Sequence, residues 1–252
     1  ATKGSSVKCL PNDSSGITLW FDVLKWSSNP PGTIYIVETN DGSPPITLNH
    51  PPPDSISHTF FEPSCGYNSY SYANAFEIKI TAQAPCQPNT TVSVEPIYIS
   101  DPPTADFEVD PRVCIGQPAF IDDRSWGSAN ALNGCDTSVL LVWEISPSTF
   151  TLNSGYMGTF NGSSNPMNWF GGTDALNVNF QKTGLYTIRQ YVGNQAGCEI
   201  DTMVQVICVD SIPDPNFGMD KDTICAPDTV TAFYVNNLIT FCDTTQLQWE
   251  IT

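Results

Sequence analysis

Pro103-Thr-Ala-Asp-Phe-Glu-Val-Asp110 is followed by Cys114, by Cys135-Asp-Thr-Ser138 and by Trp143-Glu-Ile145. About 110 residues further on, Pro213-Asp-Pro-Asn-Phe-Gly-Met-Asp220 is followed by Cys225, by Cys242-Asp-Thr-Thr245 and by Trp249-Glu-Ile251. The same landmarks in the same order mark an internal repeat, which is the first thing to establish in any chain. Working outward, residues 1–102 form a more distant copy. In it Cys9 stands where Cys114 and Cys225 stand, Ile17-Thr-Leu-Trp-Phe-Asp-Val23 follows, and Thr33-Ile-Tyr-Ile-Val37 takes the place of the Trp143 segment. The expected units are therefore 1–102, 103–212 and 213–252, the last holding only the N-terminal half of a repeat.

Within the repeats, Phe76-Glu-Ile-Lys-Ile80, Thr91-Val-Ser-Val94, Tyr186-Thr-Ile-Arg-Gln-Tyr191 and Met203-Val-Gln-Val-Ile207 alternate apolar with polar residues. That is the period of a strand with one face buried. Turn formers separate the strands: Asn40-Asp-Gly42, Pro51-Pro-Pro53, Asn161-Gly162 and Gly171-Gly172. No stretch keeps a helical period over three turns without a Pro or Gly. Many short strands spaced by turns predict an all-β fold of tandem immunoglobulin-like β-sandwiches in a linear array.

Composition narrows the function. Hydrophobic residues make up 40% of the chain, enough for a buried core, and charged residues only 14%. The net charge of −17, from 26 acidic and 9 basic residues, repels nucleic acid and anionic membrane surfaces. Divalent cations, basic surfaces and neutral sugars are the compatible partners. No apolar run of 18 residues occurs, so membrane insertion is not expected. The nine cysteines are dispersed and lack the paired spacing of zinc sites. Dispersed cysteines predict structural disulfides, and hence an extracellular or cell-surface setting.

These residues resemble the polycystic kidney disease (PKD) type of immunoglobulin-like repeat. That repeat carries an aromatic strand leading to a Gly-Asp-Gly turn, then a His-x-aromatic strand, then Gly-x-Tyr-x-Val. The first repeat has Tyr35, Asn40-Asp41-Gly42, His58-Thr-Phe60 and Phe76-Glu-Ile78; the second has Trp143-Glu-Ile145 and Gly184-Leu-Tyr186-Thr-Ile188. The second lacks the Gly-Asp-Gly turn and the first lacks the Trp. The Pro-x-Ala-x-Phe opening, the early Cys, the Cys-Asp-Thr before the Trp strand and the late Gly197-Cys198 are similar to tandem repeats of giant Bacteroidota surface proteins, SprB-like gliding-motility adhesins among them. The resemblance implies type IX secretion, a filament at the cell surface, and a role in cell adhesion or gliding motility.

With sandwich strands lettered A to G, the A–B and E–F turns share one end and the B–C and F–G turns share the other. Cys135 falls in a B–C turn and Cys198 in an F–G turn. Cys114 lies at the A–B end, where strand G finishes with Cys208. The expected bonds are thus Cys135–Cys198 and Cys114–Cys208 in the second repeat and Cys9–Cys65 in the first. Each contributes roughly 2–4 kcal/mol. Cys86 has no B–C partner in its own repeat, and Cys225 and Cys242 lack the second half of theirs.

Sites of chemistry are few. There is no P-loop, no His-Glu-x-x-His and no nucleophile elbow. The two histidines, His50 and His58, read as a surface turn and a strand position, so no enzyme activity is expected. No cofactor is required, although calcium would suit the Asp cluster at the repeat boundaries, with Asp101, Asp110, Asp210 and Asp214 as candidate ligands. The alternative for Asp in such places is simple turn formation. The resemblance also implies O-glycosylation at Asp-Ser/Thr sites, here Ser55, Thr202, Ser211, Thr223, Thr229 and Thr244. Tyr67, Tyr70, Tyr72 and Trp169 sit in Ser/Asn/Gly-rich loops and are candidate ligand-contact aromatics; the competing reading packs them onto the sandwich. The leading expectation is a structural repeat segment of a secreted adhesin filament. Its partners would be neighbouring repeats, surface polysaccharide or other cell-surface proteins. The alternatives are a glycan-binding module or the accessory region of a secreted hydrolase.

Overall fold

The computed structural model describes residues 4–22, 26–127, 129–161, 165–212, 216–234, 242 and 250. The first unit runs β1 (Val7–Cys9), β2 (Ile17–Asp22), β3 (Ile34–Thr39), β4 (Ile46–Asn49), β5 (Ser55–Phe60), β6 (Phe76–Gln83) and β7 (Thr90–Ser100). One sheet has the order β1-β7-β6-β3-β4, and β2 pairs with β5 to make the facing layer. Alternation decides which residues go inside. On β6, Phe76, Ile78 and Ile80 are buried while Lys79 between them is exposed. They meet Leu19 and Phe21 of β2, Phe60 of β5, Tyr35 and Val37 of β3, and Ile97 and Ile99 of β7 in one core. Phe60 and Phe76 stack at 4.7 Å between ring centroids.

The second unit runs β8 (Pro103–Thr104), β9 (Phe107–Val109), β10 (Arg112–Cys114), β11 (Pro118–Asp123), β12 (Trp126–Gly127), β13 (Leu140–Ser146), β14 (Phe150–Ser154), β15 (Ala175–Phe180), β16 (Gly184–Gly193) and β17 (Asp201–Asp210). Its sheets have the orders β10-β17-β16-β13 and β14-β15-β11-β9. This is the two-sheet immunoglobulin arrangement. Its core is separate from the first and is centred on Phe107, Ile121, Trp143, Val178, Phe180, Tyr186 and Ile188. The Trp143 indole N–H donates to the Thr173 carbonyl at 2.9 Å, so its one polar atom is satisfied on burial. The Tyr186 hydroxyl donates back to the Lys182 carbonyl at 3.0 Å, the corner by which such sandwiches pin the start of strand F. A third, short ladder joins β18 (Phe217–Met219) to β19 (Ala232–Tyr234). The Trp249 strand expected in the third repeat lies outside the described residues.

His58, on β5, is half-buried and tied to the turn after β3. Its Nε2 lies 2.6 Å from Asp41 Oδ2, which links the two layers of the first sandwich. Burial pushes the Asp41 carboxyl up, but the Thr39 hydroxyl, His58 and the Ser43 amide together outweigh it and hold the group below its ordinary value. A carboxyl depressed in the folded state adds stability above its unfolded value near 3.9, and that stability is lost as the pH falls through the folded value. Asp41→Asn should therefore cost about 2 kcal/mol at pH 6, as expected for charge-assisted hydrogen bonds. Thermal unfolding followed by circular dichroism should show the gap between variant and parent closing below about pH 4.

Candidate functional site: the joint between the two sandwiches

β1 runs parallel to the end of β7, pairing Cys9 with Ser100. The loop after β5 is stitched to the same place: the Ser64 amide donates to the Ile99 carbonyl at 2.9 Å, and the Ile99 amide donates to Ser64 Oγ at 3.1 Å. Cys9 and Cys65 thus sit side by side at one end of the first sandwich. The facing end of the second sandwich carries the β12–β13 turn with Cys135 and the β16–β17 turn with Cys198.

Cys9 and Cys65 both bond across the joint. Cys9 pairs with Cys198, with Cα atoms 5.4 Å apart, and Cys65 pairs with Cys135 at 5.7 Å. The third disulfide, Cys208–Cys242, ties β17 of the second unit to a cysteine beyond β19, at a Cα separation of 6.0 Å. The expected pairs Cys135–Cys198, Cys114–Cys208 and Cys9–Cys65 are all corrected. Each pair was placed at a common end of one sandwich, and the structure keeps them there. What differs is the partner: Cys9 and Cys65 each bond a sulfur of the second sandwich, Cys208 bonds Cys242, and Cys114 is free. Cys86, Cys114 and Cys225 are free; Cys86 and Cys225 are exposed and Cys114 is half-buried.

Polar groups close the joint as well. The Ala131 amide donates to Ser100 Oγ at 3.0 Å. The Asp101 amide donates to the Ala129 carbonyl at 3.1 Å, and Asn194 Nδ2 donates to the Asp101 carbonyl at 3.0 Å. Ser100 and Asn194 are fully buried, and Asn194 Oδ1 accepts from the Cys198 amide at 3.2 Å, which fixes the turn that presents that sulfur. Buried polar groups paired in this way specify one arrangement of the two bodies. Beyond them, Pro103-Thr104 of the linker pairs with Trp126-Gly127. Gly127 has φ +87°, and a Cβ there would come within 3.1 Å of the Pro102 carbonyl oxygen, so the linker lies flat against the second sandwich only because no side chain intervenes.

On one side of the joint a cleft of about 360 Å³ opens between Phe61 and Pro63 of the first sandwich and Trp126 of the second, with Asp101, just after β7, in its lining. Phe61 and Trp126 are largely exposed. Burial pushes the Asp101 carboxyl up. Sequence reasoning missed Phe61 and Trp126, since nothing in either stretch says that the two will face one cleft. The aromatics it did select are scattered. Tyr70 and Tyr72 are exposed. Tyr67 packs on Phe76 at 4.8 Å between centroids and donates from its hydroxyl to Glu62 Oε1 at 2.5 Å. Trp169 is corrected outright: it is only 7% exposed and packs edge-on against Phe160.

Among the described residues no three carboxylate, His or Cys side chains converge as metal ligands would. Asp110 is exposed, Asp210 is buried at the end of β17, and Asp214 lies outside the described residues. Of the candidate glycosylation positions, Thr202, Thr223 and Thr229 are exposed, Ser55 and Ser211 are half-buried, and Thr244 lies outside the described residues. Among the described residues no helix is long and apolar enough to cross a membrane. Three disulfides on a sandwich scaffold are the marks of an extracellular or secreted domain.

No family model matches the chain, and no curated protein matches it. Among solved structures it is similar to a cohesin module from a Clostridium perfringens family 33 glycoside hydrolase, at 15% identity and a TM-score of 0.29 over 43% of this chain and 96% of that one. It is also similar to a chain of the complex between Dpr2 Ig1-Ig2 and DIP-Theta Ig1-Ig3, at 9% identity and a TM-score of 0.37 over 87% of this chain and 69% of that one. A third is the set of three N-terminal domains of the bacteriophage RB49 highly immunogenic outer capsid protein, at 11% identity and a TM-score of 0.29 over 91% and 67%. At these scores the likeness says nothing of ligand or partner.

Proposed function

We propose that the chain is a load-bearing, non-catalytic segment of a secreted cell-surface adhesin filament, serving adhesion or gliding motility, with repeats bounded at 1–102, 103–212 and 213–252. One observation carries this reading: two disulfides bridge a single joint between consecutive sandwiches. An ordinary interdomain linker leaves its domains free to move relative to one another. Two covalent ties flanking a buried polar seam remove that freedom and turn two sandwiches into one stiff body. Stiffness in series is what a filament needs to project a binding end and transmit force, with other cell-surface proteins or polysaccharide as the partners at that end.

Replacing all four joint cysteines by serine tests it. Small-angle X-ray scattering should show one extended, rigid particle for the parent and a broadened distance distribution for the variant, while both sandwich cores still melt cooperatively. An unchanged distribution would mean that the polar seam alone sets the geometry and that the disulfides do not stiffen the joint.

The second reading, a glycan-binding module, is supported by Phe61 and Trp126 facing one cleft with carboxylate and amide groups beside them, the kind of surface on which neutral sugars stack. A glycan array read at millimolar sensitivity separates the two readings. Binding abolished by Trp126→Ala would favour the module, and no binding favours the beam.

A further inference from the structure

Two of the free cysteines occupy positions that are bonded elsewhere in the same chain. Cys114 ends β10, pairs with Asp210 at the end of β17, and is followed by Ile115, whose amide donates to the Asp210 carbonyl at 2.8 Å. Cys9 ends β1, pairs with Ser100 at the end of β7, and is followed by Leu10, whose amide donates to the Ser100 carbonyl at 2.9 Å. The two settings match bond for bond. Cys86, in the turn between β6 and β7, stands where Cys198 stands between β16 and β17. Cys9 and Cys198 are bonded to each other.

A second, independent observation concerns the other bond of the joint. Cys65, beside the end of β7, takes Cys135, which precedes Asp-Thr in its B–C turn. Cys208, near the end of β17, takes Cys242, which precedes Asp-Thr in the third repeat. The third repeat's B–C cysteine is therefore already seated at the end of the second sandwich that carries Cys114. In the second repeat the B–C and F–G cysteines reach the same joint together.

We propose that Cys114 and Cys86 are open halves of one recurring bond, joining the A-strand cysteine of each repeat to the F–G-turn cysteine of the next. Cys114 takes the F–G cysteine of a following repeat, and Cys86 takes the A-strand cysteine of a preceding one. Each bond forms as two thiols lose two protons and two electrons, and the electrons pass to a disulfide-form thiol oxidant, which leaves as the dithiol. The consequence is structural. The loop closed by Cys9–Cys198 and the loop closed from Cys114 overlap, so along such a filament no repeat lies outside a closed loop. The proposal rests on the beam reading above.

The test is a disulfide map of the protein isolated from its natural source. Thiols are alkylated at lysis and the protein is digested without reduction. The expected result is Cys114 in a linked peptide with an F–G-turn cysteine of a following repeat, and Cys86 linked to an A-strand cysteine of a preceding one. Alkylated Cys114 or Cys86, or a bond from either to Cys225 or to a second copy of this chain, would overturn the proposal. The Cys9–Cys198 peptide in the same digest tells the two ideas apart. If it is present while Cys114 is alkylated, the beam stands and its continuation fails; if it is absent, both fail.

Discussion

Pulled from its two ends under oxidising conditions, the chain should lengthen by no more than about 100 Å, and after reduction by up to about 850 Å, at ~3.4 Å for each extended residue. The difference follows from where the loops close. Cys9–Cys198 takes residues 10–197 out of the path of the force, and Cys208–Cys242 takes out residues 209–241. About 30 residues remain to be drawn straight, against all 252 once the bonds are cut. Optical-tweezers traces should thus show no step from either sandwich while the disulfides are intact. Added reductant should release two separate steps, because the two cores share no cluster. Sandwich-sized steps in the oxidised chain would mean that tension bypasses the bridges.

The second large effect concerns one side chain. Phe76→Ala should cost about 3–5 kcal/mol, the usual range for deleting a buried ring. Phe76 is fully buried between Phe60, at 4.7 Å, and Tyr67, at 4.8 Å, so truncation removes both aromatic contacts and leaves a void that strands on either side cannot fill. A domain holding some 5–15 kcal/mol in all loses much of its margin to such a change. The loss should be confined to the first sandwich. Differential scanning calorimetry should show its transition lowered by about 10 °C or more, on the scale of several degrees per kcal/mol for a domain near 100 residues. The second transition, carried by Trp143 and Tyr186, should stay in place. A single transition moving as a whole would show that the joint couples the two cores energetically as well as geometrically.

Much of this architecture is written locally. The alternation in Phe76–Ile80 and Tyr186–Tyr191 commits those segments to strands with one buried face, and the repeat of Cys, Cys-Asp-Thr and Trp sets the order of the elements. Even the ends at which the cysteines gather follow from strand order. Their partners do not. Cys9 and Cys65 are neighbours, as are Cys135 and Cys198, yet the choice between bonding within a pair and bonding between pairs depends on how two bodies meet, and no local pattern records that. A hint was present in Cys86, an F–G cysteine without a B–C companion, which makes little sense if every sandwich closes its own bonds. Phe61 and Trp126 were illegible for the same reason: each lies in an unremarkable stretch, and only the joint brings them to one cleft. Trp169 erred in the other direction, because a loop rich in Asn, Gly and Ser can still fold a ring inward against Phe160.

The pairing of four sulfurs can be read directly. Digestion of the purified chain without reduction, with thiols blocked beforehand, should yield linked peptides joining Cys9 to Cys198 and Cys65 to Cys135. Peptides joining Cys9 to Cys65 and Cys135 to Cys198 would contradict the account, since each sandwich would then be stapled to itself and the joint left free to bend.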